Sequence, residues 1–143
     1  MRLILDASMA LAWLLLRKDW AEAALAAQGL DFVHANGALV PALWYSEVAN
    51  ALLLAERQRV ITALDSAGFL SRISILEIHQ DGNPPVVSQS ESMHLGRLYG
   101  LTAYDATYLE LAMRRAATLA TFDRKLAAAA RTAGVRVFGD APY

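Results

Sequence analysis

Hydrophobic and polar positions along the chain alternate between short apolar runs and longer segments with helical spacing. The short runs are typical of strands buried in a parallel sheet, and they predict strands at residues 3–5, 39–40, 73–78, 117–122 and 135–138. The longer segments predict helices at residues 7–16, 20–34, 42–57, 62–71, 86–99, 102–115 and 123–132. Because strands alternate with helices, we expect a three-layer α/β/α fold with a mostly parallel central sheet.

Length and composition narrow the class of protein. The 143 residues suit one domain spanning residues 1–143. The chain is 56% hydrophobic and 19% charged, which excludes disorder and leaves apolar surface for a partner. With no cysteine, a thiolate zinc site, a cysteine nucleophile and a disulfide scaffold are excluded. The early apolar run, residues 9–16, is too short to span a bilayer, so we expect a cytoplasmic protein without membrane contact.

Charge and common motifs exclude several further functions. The formal net charge is −1, so no overall positive field indicates nucleic acid. The chain has no G-x-G-x-x-G, no phosphate-binding G-x-x-x-x-G-K-[ST] and no G-x-S-x-G. Its three histidines lack the i,i+4 spacing of a zinc helix. A nucleotide cofactor, a serine hydrolase and a histidine-ligated metal are therefore disfavoured.

Three aspartates stand at the ends of predicted strands or the starts of predicted helices. Asp6 and Asp123 directly follow predicted strands, and Asp105 lies in the first turn of a predicted helix. Taken singly, each is explained equally well as a helix cap.

Glu47 is harder to explain as a structural residue. It shares a predicted helix face with Trp44, Ala51 and Leu54, a face that we expect to pack inward. An inward carboxylate needs a compensating partner, and Asn50, one turn along, is the polar neighbour expected to orient it.

Topology indicates that these four carboxylates converge. The carboxyl ends of parallel strands, and the starts of the helices that follow them, lie at one edge of the sheet. Carboxylates gathered there repel one another and raise each other's pKa unless a cation neutralises them. Ligand sets made only of oxygen favour Mg²⁺ or Mn²⁺ over zinc.

The segments that carry these acids resemble a known family. They are Leu3–Ser8 (LILDAS), Glu47–Leu52 (EVANAL), Leu101–Ala106 (LTAYDA) and Leu119–Asp123 (LATFD). In this order and spacing they resemble the PIN-domain ribonucleases, and more narrowly the VapC-type toxins of bacterial toxin–antitoxin pairs. The resemblance extends from residue 3 to about residue 126.

The resemblance implies an acidic quartet of Asp6, Glu47, Asp105 and Asp123, with Ser8 and Thr121 as polar helpers. We expect Asp6 and Asp105 to be the central Mg²⁺ or Mn²⁺ ligands, with Glu47 and Asp123 binding directly or through water. The resemblance further implies metal-dependent endonuclease action on RNA, a homodimer, and inhibition by a cognate antitoxin.

Contacts with RNA and with partners are predicted less specifically. Basic pairs expected to hold RNA are Arg114 with Arg115 and Arg124 with Lys125, and also Arg17 with Lys18, although solvated helix faces explain these pairs equally well. If the first helix continued through residue 20, Met9, Trp13, Leu16 and Trp20 would form one stripe. The neighbourhoods of Trp13 and Trp20 are the candidate contacts for an antitoxin or a second protomer.

Three alternative functions remain open at this point. A PIN-like nuclease with a housekeeping RNA-processing or DNA-directed role has the same site. A receiver-type signalling domain is disfavoured, because the first βα loop lacks an adjacent acidic pair and no lysine follows the last strand. A non-catalytic dimeric binding module would use all four acids as helix caps.

Overall fold

The computed structural model describes residues 2–141, which contain four strands and seven helices. The strands are β1 (Leu3–Leu5), β2 (Ala38–Val40), β3 (Ile78–Gln80) and β4 (Thr118–Ala120). The helices are α1 (Ala7–Leu11), α2 (Trp20–Asn36), α3 (Leu43–Arg57), α4 (Ala63–Ile73), α5 (Pro85–Tyr99), α6 (Ala103–Arg114) and α7 (Arg124–Thr132). No helix within these residues is long and apolar enough to cross a bilayer.

The four strands form one parallel sheet in the order β3-β2-β1-β4. Ile4 of β1 pairs with Leu39 on one side and with Leu119 on the other. All three residues of β1 are buried, as expected for a strand covered by helices on both faces. The predicted three-layer α/β/α fold with a parallel central sheet is confirmed.

The pairing of β1 with β4 decides which residues meet at the carboxyl edge of the sheet. The backbone N–H of Asp6 donates to the carbonyl of Ala120 at 3.0 Å, so the first βα junction lies beside the last one. Helix α6 packs on both of these strands. The segments that carry Asp6, Thr121 and Asp123 are thereby held side by side.

The first helix is shorter than predicted, and the stripe that depended on its length is wrong. Helix α1 ends at Leu11, and the chain turns before α2 begins at Trp20. The Asp19 side chain caps α2 by accepting from the backbone N–H of Glu22, which sets a new helix start. Met9 is buried and Trp20 is 88% exposed, so these two residues do not share a helix face.

The apolar run at residues 73–78 is not a strand. Helix α4 continues through Ile73, and β3 forms at Ile78–Gln80 instead. The start of α4 is fixed by a complete capping box between Thr62 and Asp65, and Phe69 anchors its inner face in the core. Helix packing therefore outweighs the strand preference of the isoleucines.

The last predicted strand, residues 135–138, is reduced to a single bridge. Val137 bridges Leu119 of β4 in parallel, and Phe138 donates its N–H to the carbonyl of Leu119 at 2.8 Å. This segment follows the edge of the sheet without forming a fifth full strand among the described residues.

Candidate active site

Asp6 is held by two hydroxyl groups rather than by a helix start. It occupies the N-cap position of α1, but its side chain makes no capping hydrogen bond, so a capping role does not explain it. Ser8 Oγ and Thr121 Oγ1 each donate to Asp6 Oδ2 at 2.6 Å. Neither hydroxyl bonds Oδ1. The carboxylate is 5% exposed, and one of its oxygens is left for another partner.

The two hydroxyls are themselves fixed by the backbone that follows β4. The N–H of Phe122 donates to Ser8 Oγ, and the N–H of Asp123 donates to Thr121 Oγ1, both at 2.9 Å. Because each oxygen accepts a backbone hydrogen bond, its own proton is free to point at Asp6. Ser8 and Thr121 thus orient the Asp6 carboxylate, in the place that the resemblance implied for them.

Glu47 is half-buried at the border of the inward face of α3. The residues that α3 buries are Trp44, Val48, Leu52 and Ala55. The inward face predicted around Leu54 is wrong, since this side chain is 50% exposed. Asn50, which we expected to orient Glu47, is also exposed. Tyr108 orients Glu47 instead. The Tyr108 hydroxyl donates to Glu47 Oε1 at 2.5 Å.

Asp105 begins α6 without closing a capping box. The Thr102 hydroxyl accepts from the Asp105 backbone N–H at 3.1 Å. In α4 the same Thr-x-x-Asp pattern has both halves, because Asp65 also accepts from the Thr62 backbone N–H. The reciprocal bond from the Thr102 backbone is absent at Asp105. Its carboxylate interacts instead with the Thr102 hydroxyl, which offsets in part the burial that raises its pKa.

Asp123 serves as a helix cap at the edge of the same site. Its Oδ1 accepts from the backbone N–H of Leu126 at 2.8 Å, which caps α7. Its charge also acts on its neighbours, because it raises the pKa of both Asp6 and Asp105. The capping explanation is therefore right for Asp123 and still leaves it among the other acids.

Electrostatics shows that the four carboxylates lie close together. Burial is the largest cause that raises the pKa of Asp6, Glu47 and Asp105. Repulsion adds to it, since Asp6 and Asp105 act on Glu47, and Asp6 and Asp123 act on Asp105. The hydrogen bonds from Ser8, Thr121 and Tyr108 offset this only in part. The acids form a crevice of excess negative charge at the carboxyl edge of the sheet.

A hard divalent cation is the chemical complement of this crevice. Its donors are all carboxylate and hydroxyl oxygens, which Mg²⁺ and Mn²⁺ prefer, and Asp6 Oδ1 is unused by the two hydroxyls. Among residues 2–141, no three acidic or histidine side chains lie close enough together to enclose an ion by themselves. The oxygen donors therefore fit a divalent cation, but the described side chains alone do not surround it.

The predicted RNA contacts at Arg114 and Arg115 are already occupied. Arg114 donates to both oxygens of Asp81, the closer at 2.6 Å, and to Glu110 at 2.8 Å. Arg115 donates to Asp81 at 3.1 Å. Because their charges are neutralised by two largely buried carboxylates, these arginines act in the structure rather than as free phosphate contacts.

Other basic side chains do lie beside the acids. Arg124 and Lys125 are exposed in the first turn of α7, and Lys125 lowers the pKa of Asp105 by its charge. The Arg17 guanidinium lies 4.6 Å from the centre of the Phe122 ring and pairs with Glu22 at 2.9 Å. Positive charge thus borders the crevice on the side of residues 122–125.

The two tryptophans predicted to contact partners differ in their surroundings. Trp13 is partly buried against the core, and its indole N–H donates to the carbonyl of Ala26 at 3.0 Å. Trp20 is 88% exposed, and Leu16 is 79% exposed. Trp13 therefore has a packing role within the chain, and Trp20 remains on the surface.

Two features of the site were missed at the level of sequence. Tyr108 lies three residues after Asp105, so one helical turn places both on the same side of α6, a spacing that could have revealed it. The Asp81–Arg114 pair joins residues 33 positions apart, and no local pattern indicates it.

The chain is thus an α/β domain with a parallel sheet, and four acidic side chains lie at the carboxyl edge of that sheet. The family model of the PIN domain matches residues 3–132, and the chain belongs to this family. PIN domains are generally nucleases that use divalent metals, so family membership supports hydrolase chemistry here.

Two solved structures share this fold. One is PAE2754 from Pyrobaculum aerophilum, with 22% identity, a TM-score of 0.62, and coverage of 90% of this chain and 84% of that chain. The other is FitAcB from Neisseria gonorrhoeae, with 18% identity, a TM-score of 0.61, and coverage of 96% of both chains. Comparison with curated protein sequences gives no significant match.

Proposed function

We propose that this protein is a Mg²⁺-dependent endoribonuclease of the VapC type, the toxin of a type II toxin–antitoxin pair. The observation that carries the proposal is the crevice itself. Asp6 is buried, its pKa is raised beside three other acids, and it forms no ion pair with any described residue. A buried carboxylate without a counter-charge is unfavourable, and a divalent cation removes the penalty.

Each acid has a distinct role in this proposal. Asp6 and Asp105 would hold Mg²⁺, or Mn²⁺, with Glu47 and Asp123 completing the set directly or through water. When bound, the metal supplies activated water and stabilises charge on the phosphoryl group. Ser8 and Thr121 keep the Asp6 carboxylate aimed by donating to Oδ2.

RNA would approach along the positive border of the crevice. Arg124 and Lys125 are exposed there, whereas Arg17, which lies over the Phe122 ring, is already paired with Glu22. Basic side chains position a strand by its phosphates, which the acids alone would repel. Arg114 and Arg115 are left out of this path because Asp81 and Glu110 already neutralise them.

A cognate antitoxin and a second protomer are the partners proposed with this function. Apolar side chains remain on the surface of the described chain, among them Leu16, Trp20, Leu64 and Ile75. Contiguous apolar patches mark protein contacts, and these side chains are the candidates for such a shared surface. The proposed setting is a cytoplasmic protein that consists of one domain.

The test is RNA cleavage by purified protein together with growth on expression. We expect cleavage with Mg²⁺, its loss on chelation with EDTA, and growth arrest that Asp6→Asn relieves. Asp31→Asn is the matched control, because Asp31 is exposed on α2, and it should retain both effects. Cleavage that persists in EDTA, or toxicity that persists in Asp6→Asn, would contradict the proposal.

A further inference from the structure

Tyr108 is the one tyrosine among residues 2–141 whose side chain is completely buried, with 0% exposure. Its hydroxyl is not left unpaired in the core, because it donates to Glu47 Oε1 at 2.5 Å. The phenol oxygen also lies beside the backbone N–H of Ala7, the residue after Asp6. The Tyr108 hydroxyl therefore connects α6 with α3, close to the start of α1.

Glu47 needs such an anchor to stay in the crevice. Its side chain is only half-buried, and it stands beside the like-charged carboxylates of Asp6 and Asp105. A glutamate with rotatable bonds and open solvent beside it would relieve this repulsion by turning outward. The buried Tyr108 ring has little freedom, so its hydroxyl is a fixed donor.

The hydrogen bond between Tyr108 and Glu47 joins two helices that are far apart along the chain. Tyr108 and Glu47 are 61 residues apart, whereas Tyr108 and Asp105 lie within one turn of α6. The turn that carries one proposed metal ligand thus also holds the carboxylate of another. No other described hydroxyl, amide or cation bonds the Glu47 carboxylate.

We infer that Tyr108 is a positioning residue whose hydroxyl holds the Glu47 carboxylate in the crevice, where it completes the cation site with Asp6 and Asp105. This inference rests on the proposed function. Tyr108 touches neither substrate nor metal in this role, and it acts through Glu47 alone.

The test is Tyr108→Phe, which removes the hydroxyl and keeps the ring that fills the core. Mn²⁺ affinity of the RNA-free protein, measured by electron paramagnetic resonance, should fall about tenfold, the effect of one hydrogen bond to a charged group. The kcat for RNA cleavage should fall about tenfold or more at unchanged KM. Tyr45→Phe is the matched control on α3, where Tyr45 packs against Trp44, and it should match wild type.

A double-mutant cycle separates positioning from support of the fold. In a Glu47→Gln background, Tyr108→Phe should cause little further loss of Mn²⁺ affinity, because the carboxylate that it positions is gone. An equal loss in both backgrounds would show a structural role and overturn the inference. Thermal unfolding of each variant checks that the fold is retained.

The outcomes also distinguish this inference from the function on which it rests. If wild type binds Mn²⁺ and cleaves RNA while Tyr108→Phe equals it in both, the inference alone is overturned. If wild type neither binds Mn²⁺ nor cleaves RNA, the proposed function fails, and the inference fails with it.

Discussion

Two clusters of carboxylates in this molecule use the same residue types in opposite ways. In the first, Asp6, Glu47 and Asp105 face one another, and burial and repulsion raise the pKa of each. In the second, Asp81 and Glu110 surround Arg114, whose hydrogen bond lowers the pKa of Asp81. The second cluster contains its own ion-paired counter-charge, whereas the first has only the charge of the exposed Lys125 acting on Asp105 and no ion pair among the described residues.

The difference separates a structural cluster from a candidate site. Carboxylates that serve the fold are placed where a guanidinium neutralises them, so burial costs little. Carboxylates left without a cation destabilise the fold, and such destabilisation is typical of sites that a ligand completes. The overall net charge of −1 hides this division.

The largest expected effect is a loss of activity on substitution in the first cluster, which contains Asp6, Glu47 and Asp105. Asp105→Asn should lower Mg²⁺-dependent RNA cleavage about a thousandfold or more, since a lost ligand removes several kcal/mol of transition-state stabilisation. The free energy of unfolding of the metal-free protein should stay equal or rise, because repulsion with Asp6 and Asp123 is relieved. Cleavage assays and urea unfolding measure the two quantities.

The matched control for this variant is Asp65→Ala. Asp65 closes the capping box of α4 in the same Thr-x-x-Asp pattern, so its loss should lower stability and leave cleavage unchanged. If Asp105→Asn instead lost stability and kept activity, Asp105 would be a cap like Asp65, and the contrast between the clusters would break.

At the second cluster, where Arg114 neutralises Asp81 and Glu110, the expected effect is on stability. Arg114→Ala should lower the free energy of unfolding by about 2–4 kcal/mol, because it leaves the largely buried Glu110 without its ion-pair partner and Asp81 with Arg115 alone. Cleavage of RNA by the folded variant should keep its KM. Urea unfolding and steady-state kinetics test this, and a raised KM with unchanged stability would restore Arg114 to the RNA path.

The smallest effect is a contrast in pH dependence. The Asp81–Arg114 interaction stabilises the fold above the ordinary pKa of 3.8 and is lost as pH falls through the lowered folded value. The contribution of Asp6 to the free energy of unfolding has the opposite sign. Ionised Asp6 destabilises the fold, and this cost is absent below the ordinary pKa of 3.8 and complete above the raised pKa of the folded state. Raising the pH should therefore increase the cost of Asp81→Asn and increase the gain from Asp6→Asn.

Urea unfolding of the metal-free protein and of both variants from about pH 3 to pH 8 measures these two changes. Parallel pH curves for the two variants would show that the clusters do not differ in charge balance.

What could be predicted from the sequence follows from local rules. Asp6 and Asp123 follow the buried strands β1 and β4, and parallel strands end at one edge of the sheet. The alternation of apolar runs and helical segments predicts a parallel sheet covered by helices, because parallel strands need crossover helices between them. Glu47 was placed by its proximity to Trp44, although the inward face of α3 runs through Val48 and not through Leu54.

The remaining features depend on contacts between distant parts of the chain. Helix α1 stops at Leu11, and the Trp13 indole in the segment that follows it donates to Ala26 of α2. The orienting hydroxyl of Tyr108 and the pair between Asp81 and Arg114 arise only when separate elements dock. Periodicity places Tyr108 on the same side of α6 as Asp105, but neither periodicity nor capping patterns indicate the distant partners Glu47 and Asp81.

The position of β4 beside β1 also sets when the site comes into existence during synthesis. The hydroxyl of Thr121 reaches back 115 residues to Asp6, and Leu3 pairs with Thr118. A growing chain therefore carries Asp6 long before it contains the residues that orient it. A nascent chain that lacks β4 therefore holds no complete site, whatever else of the fold has formed.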